Sequence, residues 1–150
     1  MTEWKTCTVA DIPLLWEQER LHIEQYEDFT RLDREKILNW CRRKIENCIS
    51  EYLRIESDGE TAGFLRLSEE EGKTELDSFY ILPTHRRQGI GSEALRRVCA
   101  ETETPIFLYV FAENVGAIRF YERFGFRFRE RVHTDGAPRS ILERPATGRE

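Results

Sequence analysis

The chain has no run approaching the roughly 18 consecutive apolar residues of a membrane-spanning helix. Its opening stretch, MTEWKTCTVADIP, lacks the basic start and apolar core of a signal peptide. A cytoplasmic protein with no membrane contact is therefore expected. Cysteine is scarce: Cys7, Cys41, Cys48 and Cys99 show no C-x-x-C spacing, which agrees with that compartment. The three histidines, His22, His85 and His133, stand far apart in sequence, so no metal site is expected. A basic stripe is also missing, and with a pI near 5.4 no nucleic-acid partner is expected. Repeats, linkers and low-complexity segments are absent. Residues 1–150 are expected to form one domain, long enough for one hydrophobic core.

What is present is unevenly charged. Residues 1–80 hold 11 Lys/Arg against 19 Asp/Glu, whereas residues 81–150 hold 12 against 9. A two-sided site fits this imbalance, with a cation near the first half and an anion near the second.

Periodicity suggests the element order strand, helix, helix, three strands, helix, strand, helix, two strands. KTCTV (5–9) alternates as a strand. DIPLLWEQERLHI carries Asp11 as an N-cap and Pro13 in the first turn, with Leu14, Leu15, Gln18 and Leu21 on one face. LDREKILNWCRRKIENC places Ile37, Trp40, Cys41, Ile45 and Cys48 on one stripe. Trp16, Trp40, Phe64 and Phe107 are expected in the core. Asp58-Gly59 marks a hairpin, and TELDSFYIL reads as a strand stopped by Pro83. PIFLYVF is apolar throughout, as in the middle of a covered sheet. NVGAIRFYERFG is a short helix closed by Gly125. The fold class is α/β (α+β), with helices on both faces of a sheet.

The stretch RRQGIGSEALRR, Arg86 to Arg97, opens a helix on two glycines one residue apart. A helix N-terminus exposes unpaired N–H groups that bind anions, and glycines let a ligand approach closely. GIGSEA also matches the dinucleotide fingerprint G-x-G-x-x-G/A. In that fold the glycines follow the strand directly, whereas here Leu82 to Gln88 intervene.

Arg86-x-x-Gly89-x-Gly91 resembles the Q/R-x-x-G-x-G/A signature of the GNAT superfamily of N-acetyltransferases. LDSFYILPTHRRQGIGSEAL is similar throughout to that family's strand-four-to-helix-three motif. NVGAIRFYERFGF, residues 114–126, resembles its second signature, N-x-x-A-x-x-x-Y-x-x-x-G-F. The resemblance implies a GNAT fold: a central mixed, mostly antiparallel sheet of six to seven strands flanked by about four helices. It also implies acetyl-coenzyme A as co-substrate. Arg86, Arg87, Gln88, Gly89, Ile90, Gly91 and Ser92 would hold its pyrophosphate. Phe79, Tyr80 and Ile81 would border its pantetheine arm where strands four and five splay apart, and Asn114 would contact the arm beyond strand five. Tyr121 matches the tyrosine that protonates the leaving thiolate in many members.

Acyl transfer to an amine has its own requirements. An alkylamine, with a pKa near 10, must lose a proton before it attacks. The developing oxyanion needs a donor. Glu75 falls where one branch of the family places its base, and Asp77 or a water relay are alternatives. Two-residue spacing puts Glu75 and Asp77 on the face that carries Phe79 and Ile81. Other members use a glutamate on strand five, where this chain has Tyr109. The acidic connection between the first helices offers Glu24, Tyr26, Glu27, Asp28 and Phe29 as acceptor lining. The reading is direct transfer of acetyl to a primary amine of a small molecule or peptide in a ternary complex. Its rivals are a non-catalytic acyl-coenzyme A sensor of the same fold and a transferase of another acyl group. A homodimer through FRFRERVH and RSILER is the family's habit.

Overall fold

The computed structural model describes residues 2–146. Its elements run β1 (Thr2–Thr6), α1 (Ile12–Tyr26), α2 (Arg34–Cys48), β2 (Tyr52–Ser57), β3 (Glu60–Glu70) and β4 (Lys73–Ile81). They continue with α3 (Ile90–Glu101), β5 (Ile106–Phe111), α4 (Val115–Glu122), β6 (Arg127–Val132) and β7 (Arg139–Arg144). The strands form one seven-stranded sheet in the order β1-β2-β3-β4-β5-β7-β6. Every pairing is antiparallel except β4 with β5. The parallel step follows from the chain: β4 and β5 are joined by the crossover helix α3.

Each face of the sheet buries its own apolar cluster. On one face Leu76, Leu108, Val110 and Leu142 meet Ile90, Ala94, Leu95 and Val98 of α3. On the other, Tyr52, Phe64 and Leu82 meet Leu15 of α1 and Ile45 of α2. Covering both faces explains why β5 is an almost unbroken apolar run. Each fully buried side chain of this size contributes about 1.5–3 kcal/mol.

Several local expectations are corrected. β1 lies at Thr2–Thr6, not 5–9; Cys7 is buried, and Val9–Asp11 form a single 3-10 turn. Asp11 precedes α1, but its carboxylate accepts from the Thr8 N–H and from Arg54 rather than capping that helix. The buried face of α1 is Leu15, Gln18 and Ile23, while Leu14 and Leu21 are exposed. Of the α2 stripe only Ile45 is fully buried, and Trp40 is 65% exposed. The physical reason is that an open cleft, not core, lies beside Trp40 and Cys41. Phe64 and Phe107 are buried as expected, and Trp16 is half-buried against the α1–α2 cluster. Asp33, not foreseen, caps α2 by accepting from the N–H groups of Glu35 and Lys36. None of the described helices is long and apolar enough to cross a membrane.

Gly63 of β3 faces Ile81 of β4, and a Cβ there would fall inside van der Waals contact of the Tyr80 carbonyl oxygen. That obstacle is backbone in a central pair of strands and has nowhere to go. Gly63→Ala is expected to cost about 1–3 kcal/mol in urea unfolding. A change under a few tenths of that would show that β3 and β4 shift freely.

Candidate active site

Two irregularities in β4 build the site. The first is a bulge. Arg66 pairs with Ser78 and Leu67 with Leu76, so Asp77 has no partner on β3. The extra residue reverses the side-chain alternation. Leu76 therefore shares a cluster with Phe79 and Ile81, although strict spacing would separate them. Glu75 and Asp77 consequently lie on the α1–α2 face, which corrects the expectation that they share a face with Phe79 and Ile81. The second irregularity is early divergence: β4 pairs with β5 only at Thr74↔Ile106 and Glu75↔Phe107. Beyond Glu75 the two strands part and leave edge backbone exposed.

A cleft of about 1190 Å³ passes through this opening. At one end lies the β4–α3 turn. Arg87 and Gly89 both adopt positive φ, 64° and 79°. Gly89 is the αL residue before α3, a conformation that glycine adopts without steric cost. The first-turn N–H groups of α3 have no partner within the helix and carry its positive dipole end. Arg86, Arg87, Gly89, Ile90, Gly91 and Ser92 all line this end of the cleft. Arg86 also donates from Nε to the Ile81 carbonyl at 3.1 Å, which ties the turn to the end of β4. Gln88 is exposed and donates to the Thr84 carbonyl at 3.5 Å. The turn can hold a polyanion.

Phe79, Ile81 and Tyr109 border the middle of the cleft, where an extended chain could pair with the open edges of β4 and β5. Asn114 caps α4 by accepting from the Ala117 N–H at 3.2 Å, and it also reaches the cleft. Tyr121 packs edge-on against Phe120 and Phe126 while lining the cleft. Its hydroxyl bonds no group among the described residues, and burial raises its pKa. It is a protonated donor over the whole working pH range.

The far end, against α1 and α2, gathers Glu19, His22, Cys41, Lys44, Glu75 and Asp77. Asp77 pairs with Lys44 at 3.1 Å and with Arg66 at 2.6 Å. Glu75 makes no ion pair among the described residues. Burial first, and then the Asp77 charge, raise its pKa. Glu19 accepts from the Tyr80 hydroxyl at 2.5 Å, and burial raises its pKa too. The Tyr80 side chain thus serves the α1–α2 side. His22 sits among Tyr26, Tyr80 and Phe111, where burial first, and then the Arg139 charge, lower its pKa. Sequence reasoning missed Glu19, His22, Cys41 and Lys44. The i, i+3 spacing of Glu19 and His22 was the available signal.

None of the five expected acceptor residues is itself in the cleft wall, although Tyr26 packs on its residues His22 and Phe111 and Glu27 on its Arg139. Glu24 is held by Arg20 and Arg34. Glu27, with a side chain only 5% exposed, accepts from the Ala137 N–H and Arg139 and anchors the β6–β7 connection. Asp28 accepts from the Thr30 N–H and hydroxyl. Tyr26 stacks on Phe111, with ring centroids 5.7 Å apart, and Phe29 is half-buried after α1. The carboxylates are engaged by these local and long-range partners.

The fold and this site define an acetyltransferase-type chain, and residues 13–126 match the acetyltransferase (GNAT) family. The protein belongs to that family. A spermine/spermidine N(1)-acetyltransferase of Bacillus subtilis (strain 168) is 31% identical over 77 residues, covering 48% of this chain and 51% of that protein. The chain thus matches about half the length of this curated relative. Among solved structures, an N-acetyltransferase from Staphylococcus aureus Mu50 superposes with TM-score 0.73 at 10% identity, covering 94% of this chain and 99% of that one. The PaiA N-acetyltransferase from Thermoplasma acidophilum, solved in complex with coenzyme A, gives 0.68 at 20% identity, covering 97% and 99%. At these identities the structures show a shared fold.

The raised pKa of Glu75 has a thermodynamic sign. The folded protein holds this proton more tightly than the unfolded chain. Stability from the group is greatest below the ordinary carboxylate pKa and falls as pH rises through the native value. Glu75→Gln stays neutral throughout. Its melting temperature should exceed that of the parent near neutral pH, and the gap should close near pH 4, about the ordinary glutamate value. Thermal melts across that range check this, and a pH-independent gap contradicts it.

Proposed function

We propose that the protein is an acetyl-coenzyme A-dependent N-acetyltransferase that passes acetyl directly to a primary amine in a ternary complex. One observation carries the reading: a single cleft joins an anion-binding turn to a cluster of carboxylates through the gap between β4 and β5. The amides from Arg87 to Ser92, with Arg86 and Arg87 beside them, hold the pyrophosphate. The open edges near Phe79 and Ile81 guide the pantetheine arm. Asn114 lies on its path beyond β5.

The acceptor amine enters from the α1–α2 end. Glu75 takes its proton, directly or through one water. A raised carboxyl is a stronger base than an ordinary surface carboxylate, which suits this step. The amine forms a C–N bond to the acetyl carbon, the C–S bond breaks, the Tyr121 hydroxyl donates a proton to the departing thiolate, and the second proton lost by the nitrogen restores the phenol. Burying both reactants between two sheet edges supplies proximity.

Glu19, Glu75 and Asp77 at the acceptor end suit a cationic amine. The Bacillus subtilis relative is named for spermine and spermidine, so a polyamine is the acceptor class we assign. Tyr121→Phe should reduce kcat about a hundredfold while leaving the Kd of acetyl-coenzyme A within twofold. Full kcat in that variant would reduce Tyr121 to a packing residue. Glu75→Gln should remove the acidic limb of the kcat/KM profile. Glu19→Gln should raise KM for spermidine several-fold, and Asp28→Asn should leave it unchanged. The reverse order would return the acceptor site to the α1–α2 connection. Release of coenzyme A thiol from acetyl-coenzyme A, measured with a panel of amines, tests the activity itself. Tight binding without release would favour an acyl-coenzyme A sensor.

A further inference from the structure

A second cavity of about 510 Å³ shares no lining residue with the cleft. Arg96 and Ala100 of α3, Arg123 and Phe124 at the end of α4, Cys99, and Arg144 at the end of β7 form its wall. Arginines from three separate elements line it; the Arg96 guanidinium lies 5.9 Å from the Phe124 ring centroid and that of Arg123 5.5 Å from the Phe120 centroid. Among the described residues none of the three has a carboxylate within ion-pair distance, although the neighbouring Arg97 pairs with Glu101 at 2.9 Å. Arg144 donates from Nε to the Phe124 carbonyl at 2.8 Å, which fixes its side chain. Its Nη1 is buried without any hydrogen-bond partner. A buried, unpartnered guanidinium nitrogen is costly, and a bound oxyanion beside it would supply the missing acceptor.

We propose that this cavity binds the phosphate group of a small phosphorylated molecule. Donors arriving from three elements suit a tetrahedral oxyanion better than one flat carboxylate, and arginine is well matched to phosphate. The volume exceeds that of phosphate alone. The Phe124 ring and Ala100 give the remaining body an apolar wall. The site lies on the α3–α4 side of the sheet and is separate from the turn at Gly89.

The test is calorimetric titration of the full chain with inorganic phosphate, then with adenosine monophosphate, in phosphate-free buffer. Saturable binding is expected, with malonate binding more weakly than phosphate. Arg96→Gln and Arg123→Gln should each weaken it about tenfold, the effect of losing one charge-assisted contact. Both positions are exposed, so folding should survive; Arg144→Gln is the stricter variant. Because the Gly89 turn can itself take phosphate, the titration is repeated on an Arg86→Gln/Arg87→Gln double variant, in which a saturable site sensitive to Arg96 and Arg123 should remain. The proposal is overturned by absence of saturable binding, by a preference for malonate, or by indifference to Arg96 and Arg123. Loss of all saturable binding in the Arg86→Gln/Arg87→Gln variant would assign the phosphate to the cleft and overturn it equally.

Discussion

The site depends on one backbone constraint, the extra residue that β4 carries at Asp77. Without it, strict alternation would send Glu75, Asp77, Phe79 and Ile81 to one face of the sheet. With it, the carboxylates turn toward α1 and α2, while Phe79 and Ile81 pack toward α3 and α4. The strand can then serve both layers within seven residues. Its partner β5 follows it for only two residue pairs, so the sheet opens where the alternation changes. A cleft through a sheet requires unpaired strand edges, and this one leaves them where a ligand can supply the missing partner.

The bulge also sorts the charges. Asp77 is bound from two sides, by Lys44 of α2 and Arg66 of β3. That leaves its neighbour Glu75 as the carboxylate without an ion pair, half-buried and next to a negative charge. Two acids two residues apart thus acquire different roles from their surroundings alone. Asp77 stays fixed, and its charge helps to keep the Glu75 proton affinity high. Glu19, bonded to Tyr80, completes a set drawn from α1 and β4.

Legibility in the sequence followed how local each feature is. The Gly89–Gly91 turn, the Asn114 cap, the hairpin at Asp58-Gly59 and the order of all seven strands and four helices depend on short-range chemistry, and they were readable. Which face of a helix is buried depends on what lies beneath it. Leu14 and Leu21 look like core on a wheel, yet they face away from the sheet. Trp40 was misread because hydrophobicity cannot distinguish a core from the rim of a cleft. The bulge at Asp77 leaves no residue signature, since neither glycine nor proline marks it, and so the facing of Glu75 was lost. The acidic connection from Glu24 to Phe29 attracted attention by composition. Glu24 is occupied by Arg20 and Arg34 and Asp28 by Thr30, all nearby, while Glu27 is held by Arg139 and the Ala137 N–H from far along the sequence.

The uneven charge along the chain has a spatial counterpart, but an imperfect one. The cleft carboxylates Glu19, Glu75 and Asp77 all come from the acidic half, and the turn arginines Arg86 and Arg87 from the basic half. Lys44 and Arg139 break the pattern at the acceptor end. Lys44 already occupies the position beside Asp77 that an incoming ammonium would take. A cationic acceptor must therefore compete with a resident cation or approach from the Glu19 and Glu75 side. The second course would leave Asp77 neutralised and bring the amine to Glu75, the carboxylate without an ion pair and the base of the proposed reaction. Under the proposed function Lys44 would favour that course, since its charge would repel an ammonium approaching Asp77.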